Sequence, residues 1–297
     1  MHGYAIFDNN AYKRAGSARM DRIRAAEQSH GVVALANVVV IQELLARVRD
    51  KDAERRGMNR AAVKKLVRHC STVRPDGIQL HFVTHLDGQV YRRLTGENPP
   101  DDEEMFANFR ELVRVVAESE RDAPLTEIAE SLDAIERHVE GKEREYVSQV
   151  EAAAKALSEP NQMKRNLDYA SNLATRALSH YGRSLSPEHI VQAIIPIAQV
   201  SSVTFALRDT IIQEVRAKGG GQLQHRNTIW DEEIVASTSM YSTIRRKPIL
   251  LVTTEARLVA AAARASAGDR VVDLDAYERV MGLDPWTSQR DSSGGST

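Results

Sequence analysis

Four carboxylates placed next to apolar runs are the residues of this chain best suited to chemistry. Asp8 closes the run Tyr4-Ala5-Ile6-Phe7 and precedes Asn9 and Asn10, while Glu43 lies inside Val38 to Leu45, just past Asn37. Asp231 follows Thr228-Ile229-Trp230 and opens an apolar-patterned helix through Ile234, Val235 and Ala236; Glu255 ends the run Ile249 to Thr254. Two of these acids stand at the carboxyl end of a predicted buried strand, where open α/β sheets put their ligand crevice. Acids gathered there, without His or Cys, suit Mg²⁺ or Mn²⁺, which bind through oxygen and retain several waters. Two such ions can activate water, hold a phosphodiester for in-line attack and neutralise the leaving oxygen. Each acid also has a plainer reading. Asp8 suits an Asx turn, Asp231 an N-cap or first helical turn, and Glu255 a helix start. Glu43, amid Val, Ile and Leu, is harder to explain that way.

The elements that must position these acids can be read from periodicity. Residues 1–50 predict β–α–β–α: a first strand, a polar Arg-rich surface helix over 11–30, a doubly buried strand Val32 to Ala36, and a helix after Asn37 with apolar spacing at 40, 41, 44, 45 and 48. Residues 78–94 predict a hairpin with Asp87-Gly88 as its turn. His81 and His85 within it are read as structural. Pro99-Pro100 and four successive acids predict a helix start. A second helix runs from near Leu125 past Val150, its stripe interrupted at Gly141 and ended by Pro160. Helices over 161–180 and 187–217 follow, with Pro196 as a kink. Gly219-Gly220-Gly221 marks a linker, and the polar segment 287–297 a tail.

In chain order, these residues resemble the PIN-like nuclease family. The correspondence is a strand ending in Asp8-Asn9-Asn10, a second strand with Asn37 and a helix bearing Glu43, a helix opening on Asp231, a strand ending Thr253-Thr254-Glu255, and a last strand and helix from Arg270 to Met281. It covers roughly residues 3–50 and 225–285. Glu255 stands where the family has Asp, and its longer arm shifts the ion or makes that ligand indirect. The resemblance implies an α/β, three-layer domain with a mostly parallel central sheet, formed by residues 1–50 and 223–286 and interrupted by a mainly helical insertion over 51–222. It implies a metal-dependent endonuclease acting on RNA more than DNA, in a toxin, defence or RNA-processing role. Asp8 would be the shared metal ligand, Asp231 the second and Glu43 a ligand or water-orienting group. Glu255 would complete the set, with Asn10 and Thr253 orienting the carboxylates. Of Glu232 and Glu233, at most one joins Asp231, because successive helical residues point about 100° apart.

Composition sets wider bounds. Forty Lys and Arg against 41 Asp and Glu leave a net charge of −1, so any nucleic-acid affinity must be local. Ten Lys and Arg against three acids over 47–74 supply such a region. Arg55, Arg56, Lys64 and Lys65 are its candidate phosphate contacts, and a solvated helix surface is the plainer reading. His69, in the same stretch, is expected on the surface. The single Cys70 excludes an internal disulfide and a cysteine zinc cluster and fits a reducing compartment. No stretch has membrane-spanning length and no leader pattern opens the chain, so a cytoplasmic protein is expected. Gly-rich phosphate-loop and Gly-x-Ser-x-Gly signatures are absent. Two rivals remain: a degenerate PIN-like module that binds nucleic acid or protein without cutting, and an interaction protein whose acidic helical arm over 99–160 binds a regulatory partner or a second copy.

Overall fold

The computed structural model describes residues 3–74, 77–155, 162–186, 188, 190, 197–198, 202–218, 228–265 and 270–286. Its centre is a five-stranded sheet in the order β5-β2-β1-β6-β7, every described pairing parallel. The strands are β1 (Gly3–Phe7), β2 (Val32–Asn37), β5 (Phe82–Val83), β6 (Ile249–Thr253) and β7 (Val271–Asp273). Strands β3 (Ser71–Arg74) and β4 (Gly77–Leu80) form a separate antiparallel pair. β1 is flanked on both sides, Ile6 facing Leu35 on one neighbour and Leu251 on the other. Ala5, Ile6 and Phe7 are accordingly buried, as expected of a strand covered by helices on a parallel sheet.

The first helices are α1 (Asn9–Arg14), α2 (Ser17–His30), α3 (Val38–Leu45) and α4 (Ala53–Cys70). The expected single helix over 11–30 is thus two, broken where Ala15 and Gly16 adopt extended backbone. Asp8 caps α1 and Asn37 caps α3 through their side chains, the ordinary role of Asp and Asn before a helix. The hairpin expected over 78–94 is not formed. Phe82–Val83 joins the central sheet beside β2, and Leu86–Thr95 is a helix, α5. Leu86, Val90 and Tyr91 form its buried side and Gly96, at φ 77°, ends it. Gly88 does not turn the chain. A Cβ there would stand 2.8 Å from Thr84 Oγ1, so the residue is small because α5 lies close against Thr84.

Further along are α6 (Asp102–Glu118), α7 (Ala129–Lys155), α8 (Gln162–His180), α9 (Ser202–Lys218), α10 (Thr228–Arg245), α11 (Ala256–Arg264) and α12 (Leu274–Val280). Gly141 does not interrupt α7. Val113 and Val116 of α6 and Val139 of α7 belong to the same buried cluster as the sheet strands, so this part of the 51–222 segment shares the main core. The linker at 219–221, the helix end at Pro160, the kink at Pro196 and the tail at 287–297 lie outside the described residues. Among the described residues no helix is long and apolar enough to cross a membrane.

His69 differs from expectation. It is 5% exposed, and its Nε2 pairs with Glu27 at 2.6 Å. Tyr277 donates to the other Glu27 oxygen at 2.6 Å, and Tyr12 meets His69 Nδ1 at 3.0 Å. Phe7 packs edge-on against His69 and Tyr277. Burial opposes charge on this imidazole, but the Glu27 carboxylate outweighs it and lifts His69 to about 10. The pair ties α2, α4 and α12 together. Breaking it should leave a buried unpaired charge, so Glu27→Gln is expected to destabilise the fold by about 3–5 kcal/mol at pH 7. His69 contributes fully below its unfolded value near 6.5, and the contribution is lost as pH rises through about 10. Urea unfolding of parent and variant should therefore show a gap that is wide at pH 7 and narrows above pH 10.

Candidate metal centre

The chain runs from β1 outward to β2 on one side and reaches β6 and β7 on the other. The order reverses between β1 and β6, and the crevice at the carboxyl ends of two such strands is where open parallel sheets bind ligands. Asp8 follows β1 directly, and its backbone N–H continues the pairing to Val252 O at 3.0 Å. Thr253 ends β6, and Glu255 follows two residues later.

Hydrogen bonds hold these groups in place. Asp8 Oδ1 accepts from the Ala11 backbone at 2.6 Å, and Oδ2 accepts from the Thr253 hydroxyl. That hydroxyl in turn accepts from the Glu255 backbone N–H at 2.9 Å. Asn10 Nδ2 donates to Glu255 Oε1 at 2.7 Å. Asn10 and Thr253 thus each donate a hydrogen bond to one of the carboxylates. Asp8 is also the α1 cap, so the plainer reading holds for it alongside any functional one.

Glu43 on α3 and Asp231 on α10 approach from the helices. Burial raises Asp231 well above its ordinary value, and Glu43, Asp8 and Glu255 each push it further. Burial likewise raises Asp8 to about 6, with Thr253 and Ala11 opposing and Glu255 adding to the rise. Glu43 is lifted to about 7 by burial, against Lys13 and Asn9, with Asp8 contributing. Asp231 thus senses the other three acids, and Asp8 and Glu43 each sense one of them. Like charges brought together out of water favour protons or a bound cation.

The donors are of one kind, carboxylate oxygens, together with the buried Asn9 Oδ1, which has no hydrogen-bond partner. That chemistry fits a hard divalent cation. Among the described residues, no three His, Cys, Asp or Glu side chains close into a group tight enough to hold an ion. Binding would therefore require the side chains to draw together. Lys13, whose charge is opposed by burial and favoured by Glu43 and Asp8, supplies positive charge beside them.

Asp231 owes its position to the helices inserted between the two ends of the sheet. Trp230 Nε1 donates to Glu143 at 3.1 Å, and Arg47, just after α3, pairs with the same carboxylate at 2.8 Å. Glu232 is buried and accepts from Tyr146 at 2.6 Å and from the Arg208 guanidinium. Glu233 pairs with Lys142 at 2.7 Å. Both acids after Asp231 are therefore taken up by α7 and α9. Asn9 and Lys13 carried a weak local signal, being one helical turn apart beside Asp8. Glu143, Tyr146 and Arg208 had none.

The basic candidates divide. Arg55 and Lys64 are nine residues apart on α4, a half-turn out of phase, so the four cannot form one stripe. Arg55 is exposed, and Arg56 bonds to Asp50 O at 2.8 Å and pairs with Asp122. Lys64 donates to Ser119 O and Lys65 to Ala15 O.

No protein-family model matches this chain, and no curated protein or solved structure does either.

Crowding of the acids has a measurable sign. Folded Asp8 holds its proton up to about 6 against 3.8 for the free side chain. Its ionisation therefore costs stability above that range, on the order of 1–3 kcal/mol. In metal-free buffer, Asp8→Asn should raise the thermal midpoint at pH 8, and the gain should shrink as pH falls through 6 and disappear near pH 4. Scanning calorimetry across pH reads this directly; a lowered midpoint at pH 8 would mean the charge is already compensated.

Proposed function

We propose that this chain is a divalent-metal-dependent endonuclease of the PIN-like type, cleaving RNA in preference to DNA in the cytoplasm. What carries the reading is that Asp8, Glu43 and Glu255, from separate parts of the fold, each raise Asp231 near the β1–β6 reversal. The parallel α/β sheet and the chain order of the acids support it.

Asp8 and Asp231 would hold Mg²⁺ or Mn²⁺, with Glu43 and Glu255 completing the set. The ions, when bound, would supply the charge that activates water and stabilises the leaving oxygen. Thr253 keeps Asp8 aimed into the crevice, and Asn10 does the same for Glu255. Glu43, with its proton affinity near neutrality, is suited to accept a proton from the attacking water. Of the basic candidates, Arg55 and Arg56 would contact the phosphates of the strand, whereas Lys64 and Lys65 face other directions on α4 and would not share that track. The outer faces of α6 and α7, rich in exposed acids, would serve self-association or a regulatory partner.

A second reading has its own support. The side chains do not close around an ion, and Lys13 already lies beside the acids. On that reading the chain is a PIN-like scaffold that binds nucleic acid or protein without cutting.

Incubating the purified chain with mixed RNA and DNA in Mn²⁺, with and without EDTA, separates the two. Cleavage that EDTA abolishes and that falls by orders of magnitude in Asp231→Asn is expected. Glu255→Asp should retain activity, because it keeps the charge on a shorter arm, whereas Glu255→Gln should show a raised Mn²⁺ requirement. Absence of cleavage, with nucleic-acid binding kept, would favour the scaffold.

A further inference from the structure

A second charged feature lies away from the acidic crevice, between α2 and α4. A cavity of about 270 Å³ opens there. Each helix lines it with residues spaced i, i+3, i+4 and i+7: positions 17, 20, 21 and 24 from α2, and 61, 64, 65 and 68 from α4. This is one continuous face of each helix. The charged lining is Arg24, Lys64, Lys65 and Arg68 against a single acid, Asp21, with the buried His69 also present.

The charges there are poorly balanced. Arg68 pairs with Asp21 at 3.0 Å, which accounts for one cation. Among the described residues the other three meet only backbone carbonyls: Arg24 donates to Ser71 O at 3.4 Å, Lys64 to Ser119 O at 2.7 Å and Lys65 to Ala15 O at 2.6 Å. A carbonyl accepts a hydrogen bond but brings no negative charge. Elsewhere in the molecule Arg47, Lys142, Arg165 and Arg208 each find a carboxylate within 2.8 Å. Lys65 is half-buried, and burial alone lowers its proton affinity, with no acid beside it to compensate. His69 adds little net charge, because Glu27 lies against it. Ser17 opens α2 at the same cavity, and its cap, Gly16, contributes no side-chain acceptor to the first amides.

We propose that this cavity is a binding site for a terminal phosphate monoester. A dianion would meet three cations that have no carboxylate partner among the described residues, and Arg or Lys bonds to phosphate are among the stronger hydrogen bonds available. The cavity is small and discrete, which suits a mononucleotide or the phosphorylated end of a strand rather than a continuous length of backbone. It is independent of the metal centre. Its lining comes from α2 and α4, whereas Asp8 caps α1, and no α1 residue lines it.

Calorimetric titration of the full-length chain, dialysed free of metal, tests this with AMP, inorganic phosphate and adenosine. AMP and phosphate should bind with one-to-one stoichiometry and adenosine should not. Lys65→Gln and Arg24→Gln should each weaken AMP by about tenfold while keeping the parental melting profile, and Asp21→Asn should tighten it. Arg137→Gln, a distant exposed cation, and Asp8→Asn, in the acidic crevice, should both bind AMP as the parent does. A 5′-phosphorylated oligonucleotide outcompeting its 5′-hydroxyl form would assign the site to strand ends; indifference between them, with AMP still bound, would assign it to free nucleotides. Failure of both AMP and phosphate to bind, equal binding of adenosine, or equal weakening by Arg137→Gln would overturn the proposal. None of these readings depends on catalysis, so loss of the nuclease reading would leave the cavity's result intact.

Discussion

The parallel clamping of β1 between β2 and β6 is the constraint on which the rest depends. β1 and β2 are near neighbours in sequence, while β6 comes from the far end of the chain, so a long-range pairing completes the sheet centre. A parallel pair requires a crossover that carries the chain back over the sheet. The chain between β2 and β6 supplies that crossover and carries α3 to α10 together with the short strands β3 to β5. Because the order reverses beside β1, the carboxyl ends of β1 and β6 stand open, and Asp8, Thr253 and Glu255 arrive together from residues about 245 positions apart.

The helices between the two ends of the sheet also act as a brace. Glu143 joins Arg47, beside α3, to Trp230 at the start of α10, and Tyr146 and Arg208 hold Glu232 two residues further along. A buried ion pair brings modest net stability because desolvation offsets much of its attraction, yet removing one partner is costly. Such pairs therefore specify geometry more than they add stability. In this chain the geometry they specify is the rotation of α10 that turns Asp231 toward Glu43 and Asp8.

Two regions of opposite charge remain unbalanced in an otherwise near-neutral protein. In the crevice, carboxylates crowd one another and hold protons above their ordinary range. Between α2 and α4, cations rest on carbonyls. α1 connects them, capped by Asp8 at one end and carrying Tyr12, which touches His69.

By itself the sequence determined the elements whose signal is local. The apolar runs of β1, β2 and β6, the caps Asp8 and Asn37, and the final strand and helix before Met281 are all readable from period and cap chemistry. Asp8 and Glu255 could be placed at the carboxyl ends of β1 and β6 in the same way, whereas Glu43 and Asp231 lie within helices whose packing the sequence does not give. Tertiary structure decided what local signals could not. Asp87-Gly88 has the composition of a turn, but burial of Leu86, Val90 and Tyr91 made it a helix. His69 sits in a basic stretch, and only the arrival of Glu27 and Tyr12 from other elements makes its burial tolerable. Lys64 and Lys65 look like a surface track until α2 brings Arg24 beside them. In each case the deciding partner lies far away in sequence, and the desolvation and pairing of charge that select the outcome exist only once the chain has folded.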